Sequence, residues 1–520
     1  MSGVYSIVIV STILSAMTAA GNLDNPPDVI SALELSGENR FELENVLKQF
    51  EAPEDSLKLR AAYYLVANME GHGYVTYYMC DSSGARIEFN VLDYPDFDAL
   101  LEAADSIGDL RGEIDFEKND MVLDVETIKA DFLINQIDLS FKAWRGKPWA
   151  RGYSFDSFCA YILPYRGSDE PLEYWRGFFL EKYDGLESKM IDRSDPVEAA
   201  SLINDDIKSW FGFDPRYYYH PTDQGLSEMM AGGLGRCEDM TNLAIYALRA
   251  NGLAVTSDYT PHWANSGNNH AWNAIVTSDG RVIPFMGAES NPGVYKLANK
   301  MAKVYRKTYG RQLDNLIFQE RKQEAVPRWL AGRSYIDVTS SYTGVCDVTV
   351  EFEKEIPDSV DIAYLCVFNS GEWKATQWGR IENGKAAFAG MGNDNIAYLP
   401  ALYLNEEIVP LAAPFILGGD CGTRKLSGDG RNIEVSLVST TSRKLEISTD
   451  GVARSYLTSG REYELSYWDN GWQSLGEVSA GDGPLRFENV PADRLYWLVE
   501  EDSKKEERIF TIEDNVQVWW

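Results

Sequence analysis

The sequence predicts a multidomain α+β protein with a helical N-terminal region, an α+β centre and all-β sandwich modules at the C-terminal end. Three observations predict it. The 520 residues exceed what one hydrophobic core fills. Apolar residues recur at three-to-four spacing up to about residue 185, and short alternating runs broken by Asn-Gly and Asp-Gly turns take over from about residue 336.

Residues 1–20, MSGVYSIVIVSTILSAMTAA, form an apolar stretch ending in small residues, as in a secretory signal peptide. No Lys or Arg precedes the apolar run, and no cysteine follows it as a lipoprotein anchor requires. The expectation is a secreted, periplasmic or cell-surface protein. SALELSG, NRFELENVLKQF and SLKLRAAYYLVANM carry helical spacing, as do IKADFLINQIDLSFKAW, SFDSFCAYILPYR and LEYWRGFFLEKY. Residues 21–185 are thus expected as a mainly helical domain. Helix-like and strand-like runs alternate over 186–335. DVTVEFE, IAYLCVFN, NIEVSLVS, KLEIST, REYELSYW and RLYWLVEE then read as strands of two β-sandwich modules, 336–430 and 431–520, parted by the SGDGR turn at Ser427–Arg431.

Against 48 Lys and Arg stand 80 Asp and Glu, so the surface repels phosphate backbones and acidic lipid headgroups. Nucleic acid is disfavoured as a partner, and no later segment is long and apolar enough for membrane insertion after signal removal. The remaining partners are a protein, peptide or glycopeptide substrate. Trp373, Trp378, Trp468, Trp472 and Trp497 suit sandwich cores, with glycan contact through the C-terminal modules as their other use. Six cysteines without a C-x-x-C pair make neither a disulfide framework nor a zinc site, though Cys346 could be bridged to Cys366 or to Cys421. No metal-ligand spacing stands out, and no cofactor is implied.

The chemistry concentrates in GGLGRCEDMTNLAIYALRANGLAVTSDY. Gly232, Gly233 and Gly235 lead to Cys237, from which Leu243, Ala244, Tyr246, Ala247 and Leu248 keep helical spacing until Asn251-Gly252. Cys237 is thus expected at a helix N-terminus, where the dipole and free N–H groups favour thiolate and can hold an oxyanion, with Glu238 and Asp239 opposing. A thiol nucleophile needs a base, and the chain has four histidines. His270 opens NHAWNAIVTSDGRVIPF, a predicted hairpin turning at Asp279-Gly280, with Trp272 on the face of His270. His262 and Trp263 are expected to wall the cleft and His220 to be structural. A helix bearing Cys followed by a hairpin bearing His is the papain-like arrangement. Gln224 is either a side-chain donor to an oxyanion or a surface residue of PTDQG.

GRCEDMTNLAIYALRANG followed by NNHAWNAIV resembles the Cys and His motifs of the transglutaminase-like superfamily, over roughly residues 196–290. Its members include transglutaminases, cysteine peptidases, peptide N-glycanases and inactive relatives. The flanks, including SLKLRAAYYLVANM and FCAYILPYR, resemble large exported proteins of gut Bacteroidetes that carry this domain. The resemblance implies a papain-like thiol fold over 186–335, with Cys237 and His270 forming a thioester on a carboxamide and water or an amine completing the reaction. A thiol amidase or peptidase, a transamidating acyltransferase and a catalytically decayed scaffold or binding protein all fit. The family's third residue, an Asp after the second hairpin strand, is Met286 here. A two-residue turn pairing Ser278 with Arg281 would set Glu289 opposite His270 as the substitute orienting acid, unless Gly287 bulges the strand.

Overall fold

A computed structural model describes residues 25–322, 325–442, 454–503 and 507–520; the expected signal peptide and the KLEIST run lie outside them. The chain forms two compact units. The first takes in the chain to Asp258, then Ala271–Lys296 and Lys307–Arg311; the second comprises Tyr259–His270, Leu297–Arg306 and Gln312–Trp520.

In the first unit the apolar runs fold as helices Pro27–Leu35, Arg40–Gln49 and Ser56–Ala67. Their spacing puts Val29, Leu33, Leu43, Val46, Leu65 and Val66 on buried faces. Pro27 sits in the first turn, where its missing N–H leaves no intrahelical bond unmade. Strands accompany the helices here. Gly73–Cys80 forms an antiparallel sheet with Arg86–Ile87 and Asp115–Leu123. Aromatic and β-branched residues in GYVTYYMC suit a pleated surface, and Gly73 is required because a Cβ there would lie 2.5 Å from Val122 O.

Helices Ala130–Gly146, Phe155–Tyr161 and Trp175–Lys182 follow. Two buried arginines fasten them to the centre of the unit. Arg176 donates to Gln136 Oε1 and to the carbonyls of Ile162, Leu163, Pro164 and Arg249. Arg249 donates to those of Tyr161, Pro164, Arg166 and Val255. Buried charge persists because carbonyl acceptors replace lost hydration.

In the second unit an antiparallel series of eight strands among the described residues runs between Val345 and Lys425. Its core gathers Val348, Leu365, Val367, Phe388, Tyr398 and Leu417 with Ala264 and Ala302. Cys346 is bridged to Cys421, and Cys366 is a free, buried thiol. Beyond Gly430, the ladder of Asn432–Leu437 with Leu485–Pro491 and a five-stranded sheet enclose Val435, Leu465, Phe487, Leu498 and Phe510. Where these two β modules meet, aromatic rings pack edge-on, Phe368 against Trp497 at 5.2 Å and Trp373 against Trp468 at 5.6 Å. Among the described residues no helix is long and apolar enough to cross a membrane.

Candidate active site

The nucleophile's approach is β1 (Gly212–Phe213) paired in parallel with β2 (Leu234–Gly235), Phe213 opposite Gly235. Gly233 ends the preceding helix at φ +64°, and a Cβ on Gly235 would press within 2.8 Å of Asp239 and Phe211, so glycine is needed at both. Helix α1 (Cys237–Ala250) starts at the next residue but one, and from Asp239 to Ala250 it is buried on all sides. Asp239 caps it, with Oδ2 accepting the Arg236 N–H at 2.9 Å and Oδ1 the Gln224 N–H at 3.0 Å. Burial raises the Asp239 pKa above the ordinary carboxylate value.

Gln224 is fully buried, not on a surface loop. Its Nε2 donates to Leu234 O and Asp239 Oδ2, both at 3.0 Å, which commits both amide hydrogens and leaves the buried Oε1 without a partner. The side chain clamps the cap.

Cys237 is half-buried at the first position of α1. The backbone N–H groups of Glu238 and Ala271 favour its thiolate. Burial nevertheless pushes the thiol up to about 12, with the Glu238 carboxylate adding to the rise and Arg236 opposing it. Expected thiolate stabilisation at a helix start is outweighed here by desolvation and a like charge. Sγ lies 3.8 Å from Glu238 Oε2, and Glu238 Oε1 lies 3.5 Å from Lys307 Nζ. Arg236 is held by Asp223 at 2.6 Å, and Asp223 also accepts from Ser168 Oγ at 2.7 Å.

Strand β3 (Val255–Thr260) precedes β4 (His270–Val276), which pairs with β5 (Val282–Phe285). Asn273 pairs with Phe285 and Val276 with Val282, so the loop between Thr277 and Arg281 has three residues, not two. Thr277 Oγ1 accepts the Arg281 N–H at 3.0 Å and donates to Asp279, while Gly280 takes φ +82°. That shifts the expected register by one residue and reverses the faces.

The ladder then stops, because residues 286–290 form a turn with Ser290 N donating to Met286 O at 2.9 Å. Glu289 is exposed in this turn, and the strand pairing that would have set it opposite His270 is not made. Two asparagines hold the turn. Asn273 accepts the Gly287 N–H at 3.2 Å and donates to Thr241 O at 3.1 Å; Asn204 accepts the Ala288 N–H at 2.8 Å. Met286 is buried.

His270 begins β4, half-buried, its ring stacked on Trp263 with centroids 6.0 Å apart. Trp272 is buried. His262 packs edge-on to Trp329, and burial lowers its pKa to about 4. His220 lies between Glu228 and Thr222 O, and His72 bonds Tyr309 O at 2.8 Å. The loop before His270 is pinned within the second unit by residues that sequence reasoning missed. Asn369 Nδ2 reaches Trp263 O, Ser266 O and Asn268 O at 3.0, 2.9 and 2.9 Å, and Arg508 donates to Ala264 O at 2.7 Å.

Residues 186–285 match the model of the transglutaminase-like superfamily, and this segment is a transglutaminase-like domain. No curated protein matches the chain. Among solved structures, red sea bream transglutaminase aligns at 11% identity and a TM-score of 0.22, over 88% of this chain and 78% of that one.

Proposed function

We propose that the protein is a thiol amidase or peptidase acting on peptide or glycopeptide carboxamides, with Cys237 as nucleophile and His270 as base. What supports this is Cys237 at the first position of the buried helix Cys237–Ala250 in the transglutaminase-like segment, ahead of the strand that His270 opens. At rest the thiol is neutral. His270 takes the thiol proton as sulfur bonds to the carboxamide carbon, and the N–H groups opening α1 hold the oxyanion. The amine leaves with the proton from His270, and water attacks the thioester, returning the thiol and releasing the acid. Export belongs to the same reading; the Cys346–Cys421 bridge supports it, since such bonds persist in oxidising compartments, and an exported enzyme meets water far more often than an oriented amine.

The test is mass spectrometry of a peptide and glycopeptide library incubated with the wild type and Cys237→Ala. Hydrolysis lost in the variant is the expected result. Activity retained by Cys237→Ala would remove the nucleophile, and amine incorporation without hydrolysis would make the protein a transamidating acyltransferase. One observation favours a decayed scaffold instead, namely that Met286, at the family's acid position, cannot orient an imidazole. A thiol inert to iodoacetamide would decide for it.

A further inference from the structure

Glu238 has an arrangement that helix formation does not need. An acidic residue in the first turn stabilises a helix by facing its N–H groups. The Glu238 carboxylate instead spans the nucleophile and a cation, 3.8 Å from Cys237 Sγ on one oxygen and 3.5 Å from Lys307 Nζ on the other. We propose that Glu238 is a specificity-determining residue that selects substrates with a cationic group next to the reacting carboxamide, such as a basic side chain. This rests on the nucleophilic reading of Cys237.

Three further observations support it. The pair is open, because the Glu238 and Lys307 side chains are 28% and 30% exposed and their separation is long for a hydrogen-bonded ion pair. Such a pair contributes little and yields readily to an incoming charge. Next, the cations nearby are already answered. Lys307 feels Glu238, Asp169, Asp223 and Glu170, Arg236 is held by Asp223, and Arg166 by Asp124. Carboxylates are in excess, so an anionic substituent finds no free partner while a cationic one finds Glu238. Finally, Tyr218 is 53% exposed and within electrostatic reach of both Cys237 and Glu238, and its ring packs edge-on to Phe213, itself 47% exposed. Exposed aromatic rings beside a carboxylate suit the alkyl stem and charge of a basic side chain.

Once the acyl carbon is bonded to sulfur, its substituents lie within about 5 Å of Glu238, where a partly buried charge is incompletely screened. A substrate cation there also offsets the part of the thiol's rise that Glu238 adds to burial.

The test alkylates Cys237 at one fixed pH with (2-bromoethyl)trimethylammonium, iodoacetamide and iodoacetate, each rate divided by that for N-acetylcysteine amide and the labelled site read by peptide mass. Wild type is expected to favour the cation over the anion about tenfold. Glu238→Gln should bring the ratio to near unity with circular dichroism unchanged, and Lys307→Met should enlarge it. No preference in the wild type, or one that survives in Glu238→Gln, overturns the inference and leaves the nucleophile standing. Inertness to all three reagents overturns the nucleophile itself and the inference with it.

Discussion

Asn369 Nδ2 donates to the carbonyl oxygen of Asn268 at 2.9 Å, two residues before His270, from the end of a β-module strand. The same nitrogen reaches Trp263 O and Ser266 O, so one buried amide sets the loop that delivers the histidine. Asn369→Asp keeps the size but puts acceptors where three carbonyls need donors. We expect a loss of about 2 kcal/mol of stability and about a tenfold fall in kcat/KM. The iodoacetamide rate at Cys237 should hold, because the thiol sits on a different element. Thermal denaturation and labelling of the same sample check this, and slowed labelling would count against it.

The Cys237 thiol, pushed up to about 12 by burial and Glu238, is neutral at pH 7. Alkylation should therefore rise about tenfold per pH unit from pH 7 to 9, without a plateau. A plateau below pH 8 would mean a thiolate already paired with an imidazolium, contrary to the neutral resting state. The sign for stability follows. The unfolded thiol ionises near about 8.5 and the folded one near 12, so its contribution is full below the lower value and lost as pH rises through the upper. Glu238→Gln should lower the folded value and quicken labelling at every pH.

Where local chemistry settles local structure, the sequence was legible. Cys237 at a helix start and His270 opening a strand both follow from short-range pattern, as do the three N-terminal helices and the runs IAYLCVFN and REYELSYW as strands. The hairpin register was not, because Thr277 Oγ1 stabilises a three-residue loop that Asp279-Gly280 alone does not reveal. The functions of Asn369, Arg508 and Lys307 were beyond reach for another reason. Each acts on residues 69 or more positions away, and no periodicity encodes such a contact. The strand at Gly73–Cys80 was hidden by the helices around it, although its own residues favour a sheet.

Gln224 clamps Asp239 rather than pointing a free donor outward, so its loss should read as instability. Gln224→Ala strips a hydrogen bond from a buried carboxylate and one from Leu234 O. We expect a cost of about 2 kcal/mol, a lower Tm and an iodoacetamide rate at Cys237 within about threefold of wild type. An unchanged Tm with a hundredfold loss of kcat would return Gln224 to the oxyanion.

The Cys346–Cys421 bridge spans 75 residues and so closes nearly the whole first β module. Loop-closure entropy for that length corresponds to about 4 kcal/mol. Cys346→Ser with Cys421→Ser should therefore lower the melting of the β modules, or unfold them where their margin is smaller. Asn393 Nδ2, 3.2 Å from the Cys346 sulfur, would lose that partner as well. The first unit carries its own buried helix, Cys237–Ala250, and should melt at its wild-type temperature. Calorimetry distinguishes the outcomes: one early transition beside one unchanged makes the bridge a stabiliser of the β modules alone, whereas a common downward shift would show that the thiol-bearing segment depends on them to stay folded.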